Sequence, residues 1–395
     1  MHSSRPQEQS SKSLEISFVD SIDDIGASAW NQLTGAENPF TRFEFLHALE
    51  KTGCTTAATG WKPQHVAVYA KENGTRSLQA LMPMYEKTNS YGEYVFDWAW
   101  ANAYQGHGLA YYPKYVSSVP FTPSAGKRVF VRDEVERYST TEYIRNKVIE
   151  KAESLGISSW HILFPTEEEN IHFTQLGISA RVGSQFHWYN NDYRNFEGFL
   201  ETLNSRKRKS IKKERRSVDE QGISFEITEG ANITEEQWRI FTRFYESTYM
   251  MRGMQGYLNE NFFHMLSSTM PEQLFINSAI KDGQTIAAAL FFKSEQQLFG
   301  RYWGSAQDYQ FLHFETCYYR GQDYCIEHGL KSFDSGAQGE HKIQRGFEPI
   351  ITHSNHWISN PQFADAISNF LDEEEEHIKR YIEQAKTHLP YKQNQ

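Results

Sequence analysis

The stretch Arg301–Pro349 reads RYWGSAQDYQFLHFETCYYRGQDYCIEHGLKSFDSGAQGEHKIQRGFEP, and the rest of the chain is organised around it. It carries polar, aromatic and glycine residues at a density that a plain core segment has no reason to hold. Its pattern predicts the end of a strand, a loop, and a helix closing at Gly329. A second strand, KSFDSG, then runs into a glycine-bearing loop, GAQGEHK. Asp334, Glu340, His341 and Lys342 follow that strand closely, which predicts a cleft.

Working outward, 395 residues exceed the size at which one core keeps growing, so two domains are expected. Hydrophobic residues at 39% and aromatics at 15% exclude a disordered chain and point to an aromatic-rich core or groove. The net charge of −10 argues against nucleic-acid binding by bulk electrostatics, so any anion site must be local. The three cysteines, Cys54, Cys317 and Cys325, form no C-x-x-C pair. A disulfide framework or metal site is therefore not expected, and a reducing, cytoplasmic setting is. The polar opening MHSSRPQEQSSKS does not read as a signal peptide, and no apolar run reaches membrane-spanning length.

Before the opening stretch, the chain repeats itself. ISFVDSID (16–23) is echoed by ISFEITEG (223–230), and HVAVYAKENGTRSLQALMPMYEK (65–87) by LFINSAIKDGQTIAAALFFKSE (274–295). Each of the latter pair reads as two strands around a turn, Asn73-Gly74 in the first. Each half then has a helix ended by glycine (Gly156, Gly329), a strand (SWHILFP, KSFDSG), and a His-Trp pair. The order and near-constant spacing predict two copies of one α/β domain. The expected layout is a disordered tail over 1–13, domains over 14–190 and 223–359, a basic connecting helix over 191–222, and a C-terminal helix with a tail over 360–395. YGEYVFDWAWANAY (91–104) is expected to extend the first sheet and leave it as an aromatic loop.

The connecting segment holds eight basic residues between 206 and 216, namely Arg206, Lys207, Arg208, Lys209, Lys212, Lys213, Arg215 and Arg216, against one acid. One reading is a solvated charged helix; the other is a local phosphate or RNA site.

The order of elements in each half resembles the GNAT acyltransferase fold, and the tandem pair resembles the FemABX-like transferases. The residues that carry this are NSRKRKSIKKERRSVDEQGISF (204–225), LFINSAIKDGQTIAAALFF followed by GRYWGS, and SFDSGAQGEHKIQRGFEP. The phrases YGEYVFDWAWANAY, FPTEEE, QFHW, FLHFETCYY and GAQGEHK look like a FemAB-like branch identified with peptidoglycan biosynthesis or recognition. The resemblance runs from about residue 15 to 375. It implies an N-acyltransferase with no tightly bound cofactor. Its donor would be an acyl-coenzyme A or an aminoacyl-tRNA, and its acceptor a small-molecule or peptide amine. Nothing implies DNA or a metal, and the oligomeric state is left open. One departure concerns coenzyme A. Arg301-Tyr-Trp-Gly304-Ser-Ala306 fits the [QR]-x-x-G-x-[GA] phosphate loop literally, yet lies before the helix, whose own start has His313 where glycine is wanted.

Acyl transfer to an amine needs a proton acceptor, donors for the oxyanion and a dry groove. Candidate catalytic residues are His313 with Glu315 as orienter, Asp334 at its strand end, and His341. Candidate binding residues are Arg301, Tyr302, Tyr319, Gly336, Gly339, Lys342 and Arg345, with Asp97, His107 and the Pro120–Pro123 loop from the first half. Against these stand plain alternatives: a first-turn charge for Glu315, a turn aspartate for Asp334, core packing for the tyrosines. Two rival functions remain at this point, a non-catalytic cell-wall recognition module and an RNA-binding protein.

Overall fold

The computed structural model describes residues 13–72, 74–337 and 339–392. Of the tail expected over 1–13, residues 1–12 lie outside the described residues, as does Asn73 of the turn, while Ser13 opens the first strand.

The first half runs β1 (Ser13–Val19), α1 (Ala27–Thr34), α2 (Phe43–Lys51), β2 (Trp61–Pro63), β3 (His65–Glu72), β4 (Thr75–Met82) and β5 (Tyr85–Lys87). It continues with α3 (Trp98–Gly106), β6 (Lys114–Ser117), β7 (Phe130–Val131), α4 (Arg137–Leu155), β8 (Ser159–Leu163), α5 (Glu167–Gln175) and β9 (Ser179–Tyr189). Helices α6 (Phe196–Thr202) and α7 (Ser205–Glu220) connect it to the second half. There β10 (Ser224–Glu229), α8 (Glu235–Met250), α9 (Glu260–Thr269), β11 (Leu274–Lys281), β12 (Gln284–Lys293) and β13 (Gln297–Ser305) follow. Then come α10 (Leu312–Phe314), a π-helical turn (Glu315–Tyr319), α11 (Arg320–His328), β14 (Ser332–Asp334), β15 (Glu348–Ile358) and α12 (Pro361–Thr387). Apart from the short β2, the run β1–α1–α2–β3–β4 thus has the same order as β10–α8–α9–β11–β12.

Local chemistry explains the punctuation. Helices α4 and α11 end on Gly156 and Gly329 in the left-handed conformation, which glycine adopts without a Cβ penalty. Helix α5 starts with a capping box in which Thr166 and Glu169 satisfy each other's backbone N–H groups. Glu169 also accepts from the N–H groups of Arg128 and Val129, so it ties the helix to the β7 edge. The aromatic stretch 91–104 departs from its expected form: residues 98–104 are the body of α3 rather than strand or loop. Trp100 and Tyr104 are its buried face.

Two sheets form. The smaller holds β1-β3-β4-β7, and the larger has eleven strands in the order β10-β11-β12-β13-β14-β9-β15-β8-β6-β5-β2. The larger sheet crosses the boundary between the halves by a reciprocal exchange. Strand β9 of the first half pairs with β14 of the second, and β15 of the second pairs with β8 of the first. The two exchanged strands pair with each other over Ser179–His187, antiparallel, at the centre of the sheet. Helix α12 lies across both, and Arg181 of β9 holds Glu374 of α12 through two bonds of 2.7 and 2.8 Å.

One opening in this sheet matters for function. Parallel strands β13 and β14 pair only as far as Phe299 opposite Asp334. Beyond that point β13 continues toward Ser305 while the chain leaving β14 turns at Gly336, and the two diverge. The ends of parallel strands at such a split are where open sheets expose backbone to ligands.

Candidate active site

A cavity of about 720 Å³ fills the split. Its floor is Gly300–Trp303 of β13, one wall is His313, Cys317 and Tyr318, and another is Ser335–Ala337 with Gly339, His341 and Lys342. The remaining wall comes from the first half and from α8 with the segment that follows it: Tyr91, Tyr94, Phe96 and Trp98 face Tyr245, Tyr249, Arg252 and Tyr257.

Arg301 sits at the bottom with its side chain buried. It donates to Asp334 Oδ2 at 2.5 Å, to the carbonyls of Gly300 and Asp334, and to Thr122 Oγ1. Those four bonds leave one of the five guanidinium N–H groups. Asp334 is fully buried behind it and also accepts from the Gly336 N–H at 2.8 Å. Burial pushes the Asp334 carboxyl up, but the charges of Arg301 and His187 and the Gly336 bond outweigh it and hold the pKa at about 2. Asp334 is thus an ionised anchor for Arg301 and does not line the cavity.

Lys342 donates to the carbonyls of Ser335 and Gly336 at 2.9 and 2.8 Å, which braces the loop after β14. Burial lowers its pKa to about 8, with Asp334 opposing the shift. Gly336 and Gly339 have φ of +87° and +119°. At Gly339 a Cβ would stand 2.6 Å from His341 Cε1, so the glycine is what lets the imidazole fold over the loop.

Two histidines face the cavity. His341 Nε2 lies 2.9 Å from Tyr318 Oη, and burial with the nearby Arg345 and Lys342 charges lowers its pKa. His313 packs between Trp303 and Tyr318, with ring centroids at 4.9 and 5.2 Å. Burial, then the charges of His341, Lys342, Arg345 and Arg252, push it down to about 3, so it is neutral at physiological pH. The π-helical turn, a feature enriched at functional sites, sets which side chains look inward. Cys317 and Tyr318 face the cavity, whereas Glu315 and Tyr319 point to the back.

Several expected site residues stand elsewhere. Glu315 does not orient His313; it is buried in ion pairs with Arg215 and Arg320, both at 2.9 Å. Tyr319 donates to Glu214 at 2.5 Å, and Arg345 pairs with the same carboxylate at 2.8 Å while lying over the Phe314 ring. Both join α7 to the site's rear wall. Asp97 is enclosed in the first half, where it accepts from Lys114 and from the Tyr111 hydroxyl at 2.6 Å. Its neighbours Phe96 and Trp98 line the cavity in its place. His107 caps α3 at the surface, bonded to the Ala103 carbonyl. Of the Pro120–Pro123 loop, Thr122 holds Arg301, and Phe121 accepts from Tyr302 through its carbonyl. Arg301–Ala306 is no phosphate loop: residues up to Ser305 are strand. A Cβ at Gly304 would meet the Phe244 carbonyl of α8 at 2.1 Å, so this glycine serves helix-on-sheet packing.

The basic segment forms the whole of α7, capped by Asn204. Lys212 pairs with Glu197, Arg215 with Glu315 and Asp323, and Arg216 with Glu220. Arg206, Lys207, Arg208, Lys209 and Lys213 have no ion pair among the described residues; Arg206, Lys209 and Lys213 are exposed, and Lys207 and Arg208 are partly buried. The residues that sequence reasoning missed are Tyr318, which it read as core packing, and Tyr94, Tyr245, Tyr249, Arg252 and Tyr257. The only signal of the last five is aromatic density, in YGEY and in the FYESTYM and MQGY segments.

Comparison with known proteins agrees with this geometry. The family model for FemAB-like proteins, described by peptidoglycan biosynthesis/recognition, matches residues 21–393. No curated protein sequence matches the chain. Among solved structures, the crystal structure of FemX is 12% identical with a TM-score of 0.53, over 90% of this chain and 100% of that one. A conserved protein of unknown function from Bacteroides thetaiotaomicron VPI-5482 is 9% identical with a TM-score of 0.50, over 88% of this chain and 99% of the other. At such identities the likeness is one of fold, a mixed α/β frame of two GNAT-like domains. The chain belongs to the FemAB-like family.

Proposed function

We propose that this protein is an N-acyltransferase that moves an acyl or aminoacyl group from an activated donor to an amine in cell-wall peptide metabolism. The observation that carries the reading is the pairing of Tyr318 and His341 at 2.9 Å on the wall of a cavity whose floor includes Arg301.

Each part matches a demand of the chemistry. The attacking amine must lose a proton as its bond to the acyl carbon forms. Tyr318 Oη takes that proton while passing its own to His341 Nε2, a transfer that needs the imidazole neutral beforehand. The lowered His341 pKa supplies that state at neutral pH. Negative charge gathers on the carbonyl oxygen in the tetrahedral intermediate, and the Arg301 guanidinium, fixed by Asp334, is a cation already in place to face it. When the intermediate collapses, the leaving oxygen or sulfur regains a proton from the His341–Tyr318 pair. The neutral His313 and the tyrosines keep the cavity apolar, which strengthens these interactions.

The donor assigned in this proposal is aminoacyl-tRNA. The unpaired cations of α7 suit a polyphosphate backbone, and the Arg301–Ala306 segment is strand. The test is to incubate the protein with charged tRNA, acetyl-coenzyme A and longer acyl-coenzyme A, each with amine-bearing cell-wall peptides, and read the products by mass spectrometry. Acylated peptide from at least one donor is expected. No product from any donor, with peptide still bound, would establish the recognition module instead.

A further inference from the structure

The first-half wall of the cavity is a strap, residues 90–98, that leads from β5 into α3. Its side chains divide between two faces. Tyr91, Tyr94, Phe96 and Trp98 line the cavity, while Glu93 and Asp97 are buried on the other side. No step of the acyl-transfer scheme uses these two carboxylates.

Beneath the strap stands Lys114 of β6, fully buried. An ammonium has three N–H donors, and here all three go to the strap: to Ser90 Oγ at 2.9 Å, to Glu93 Oε2 at 2.8 Å and to Asp97 Oδ2. Burial alone would push the Lys114 pKa down, but the Glu93 and Asp97 charges outweigh it and keep the group charged. Lys87 of β5 adds a bond to the Tyr91 carbonyl at 3.2 Å and stands 3.8 Å from Glu93 Oε1. Net stability does not account for these four buried charges, because replacing a buried ion pair by packed apolar side chains is often neutral or stabilising. Nor does the helix account for Asp97. It is the N-cap of α3 yet makes no side-chain cap bond, its carboxylate being given to Lys114 instead. Between the pinned residues, Tyr94 is held at φ +61°, a left-handed conformation that a non-glycine residue keeps only where its surroundings fix it.

We propose that Lys114 is a positioning residue: through Ser90, Glu93 and Asp97 it holds the aromatic side chains of the strap in the arrangement that binds substrate in the cavity. This rests on the transferase reading only in calling the ligand a substrate; the pinning of the strap stands on its own geometry. Lys114 touches no reacting atom, and Arg301, Tyr318 and His341, which carry the chemistry, all belong to the second half. A loosened strap therefore weakens substrate binding and leaves the chemical step, so KM rises while kcat stays.

The experiment joins steady-state kinetics to amide hydrogen exchange, read by mass spectrometry, on the full chain. Lys114→Met should speed exchange across residues 90–98 about tenfold, with β11–β13 unchanged as the folded reference. It should also raise KM about tenfold and leave kcat within about threefold of wild type. The single variant strands two buried carboxylates and loses stability. Lys114→Met with Asp97→Asn removes one charge of each sign and keeps the Lys87–Glu93 pair. This double variant should regain stability in urea denaturation yet keep the fast exchange and the raised KM, and it decides alone where the single variant fails to fold. KM restored together with stability would reduce the cluster to a structural role and overturn the proposal. Unchanged exchange over 90–98, or a loss in kcat at unchanged KM, would overturn it as well. Fast exchange confined to the strap of variants whose wild type transfers no acyl group would remove the acyl-transfer reading and leave the pin standing. Transfer activity with strap exchange indifferent to both variants would do the reverse.

Discussion

His341 and Lys342 are adjacent in sequence, but their titrations limit opposite ends of the pH range. His341 must be neutral to accept a proton, and its pKa is lowered from the usual 6.5. The acid limb of kcat/KM should therefore have its midpoint below 6.5. Lys342 loses its charge at about 8, which weakens its charge-assisted bonds to the Ser335 and Gly336 carbonyls, so activity should fall again above that. The pH–rate profile checks both limbs. His341→Gln should lower kcat by about 10²–10⁴-fold and abolish the acid limb. Asp334 has a different job, and its loss should read out in stability. Asp334→Asn leaves Arg301 buried without its counter-charge, which should cost about 3–5 kcal/mol in urea denaturation. The sign of the pH effect follows from the depressed pKa. The stability Asp334 contributes is complete above the ordinary 3.8 and is lost as pH falls through about 2, and the Asn variant should lack that acid dependence. Of these residues, Arg301, Lys342 and His341 were legible in the sequence because glycines and charges crowd around them. The pairing of Arg301 with Asp334 was not, since it joins residues far apart in sequence through a strand pairing. Glu315 was misread for a reason the sequence does contain. It lies two residues after His313, and on a helix such positions face opposite sides.

Helix α7 and the π-helical turn form a unit at the next scale. The turn presents Tyr318 to the cavity, while on its back Glu315 and Tyr319 meet Arg215 and Glu214 of α7. A ligand that pulls on α7 therefore acts on the element that carries Tyr318. Replacing Arg206, Lys209 and Lys213 together by alanine should weaken tRNA binding and reduce the slope of log affinity against log salt by about 2–3, roughly 0.7–0.9 for each lost phosphate contact. Binding measured across a salt series checks this; an unchanged slope would mean that these cations touch solvent only. Helix and strand types along most of the chain followed from periodicity and glycine stops, as Gly156 and Gly329 illustrate. The failure at 91–104 is instructive. A run of tryptophan, tyrosine and phenylalanine scores as strand by propensity, yet Trp100 and Tyr104 bury one face of α3 against α12, and tertiary packing overrides the local preference.

For the whole molecule, the repeat in the sequence corresponds to a shared order of elements near the start of each half, but hides how the halves are joined. Nothing in the period of a repeat tells whether a strand closes its own sheet or its neighbour's. Here β9 and β15 each close the other half's sheet, and both are buried between partners. The halves should not fold apart. Residues 1–203 expressed alone lack β14 and β15, leaving the β8 edge and both sides of β9 unpaired. Circular dichroism and size-exclusion chromatography should find each fragment unfolded or aggregated, and co-expression with 204–395 should restore a folded complex. An independently folded first half would contradict the exchange.

That exchange also sets a clock on biosynthesis. Strand β8 is translated roughly 190 residues before β15, the strand that covers it, is complete. At ribosomal speeds of roughly 5–20 residues per second, its apolar edge waits about 10–40 s for a partner. The nascent chain must spend that interval shielded from other chains, by a holding chaperone or by transient pairing. Slowing elongation late in the message should therefore lower the yield of native protein, although no residue has changed.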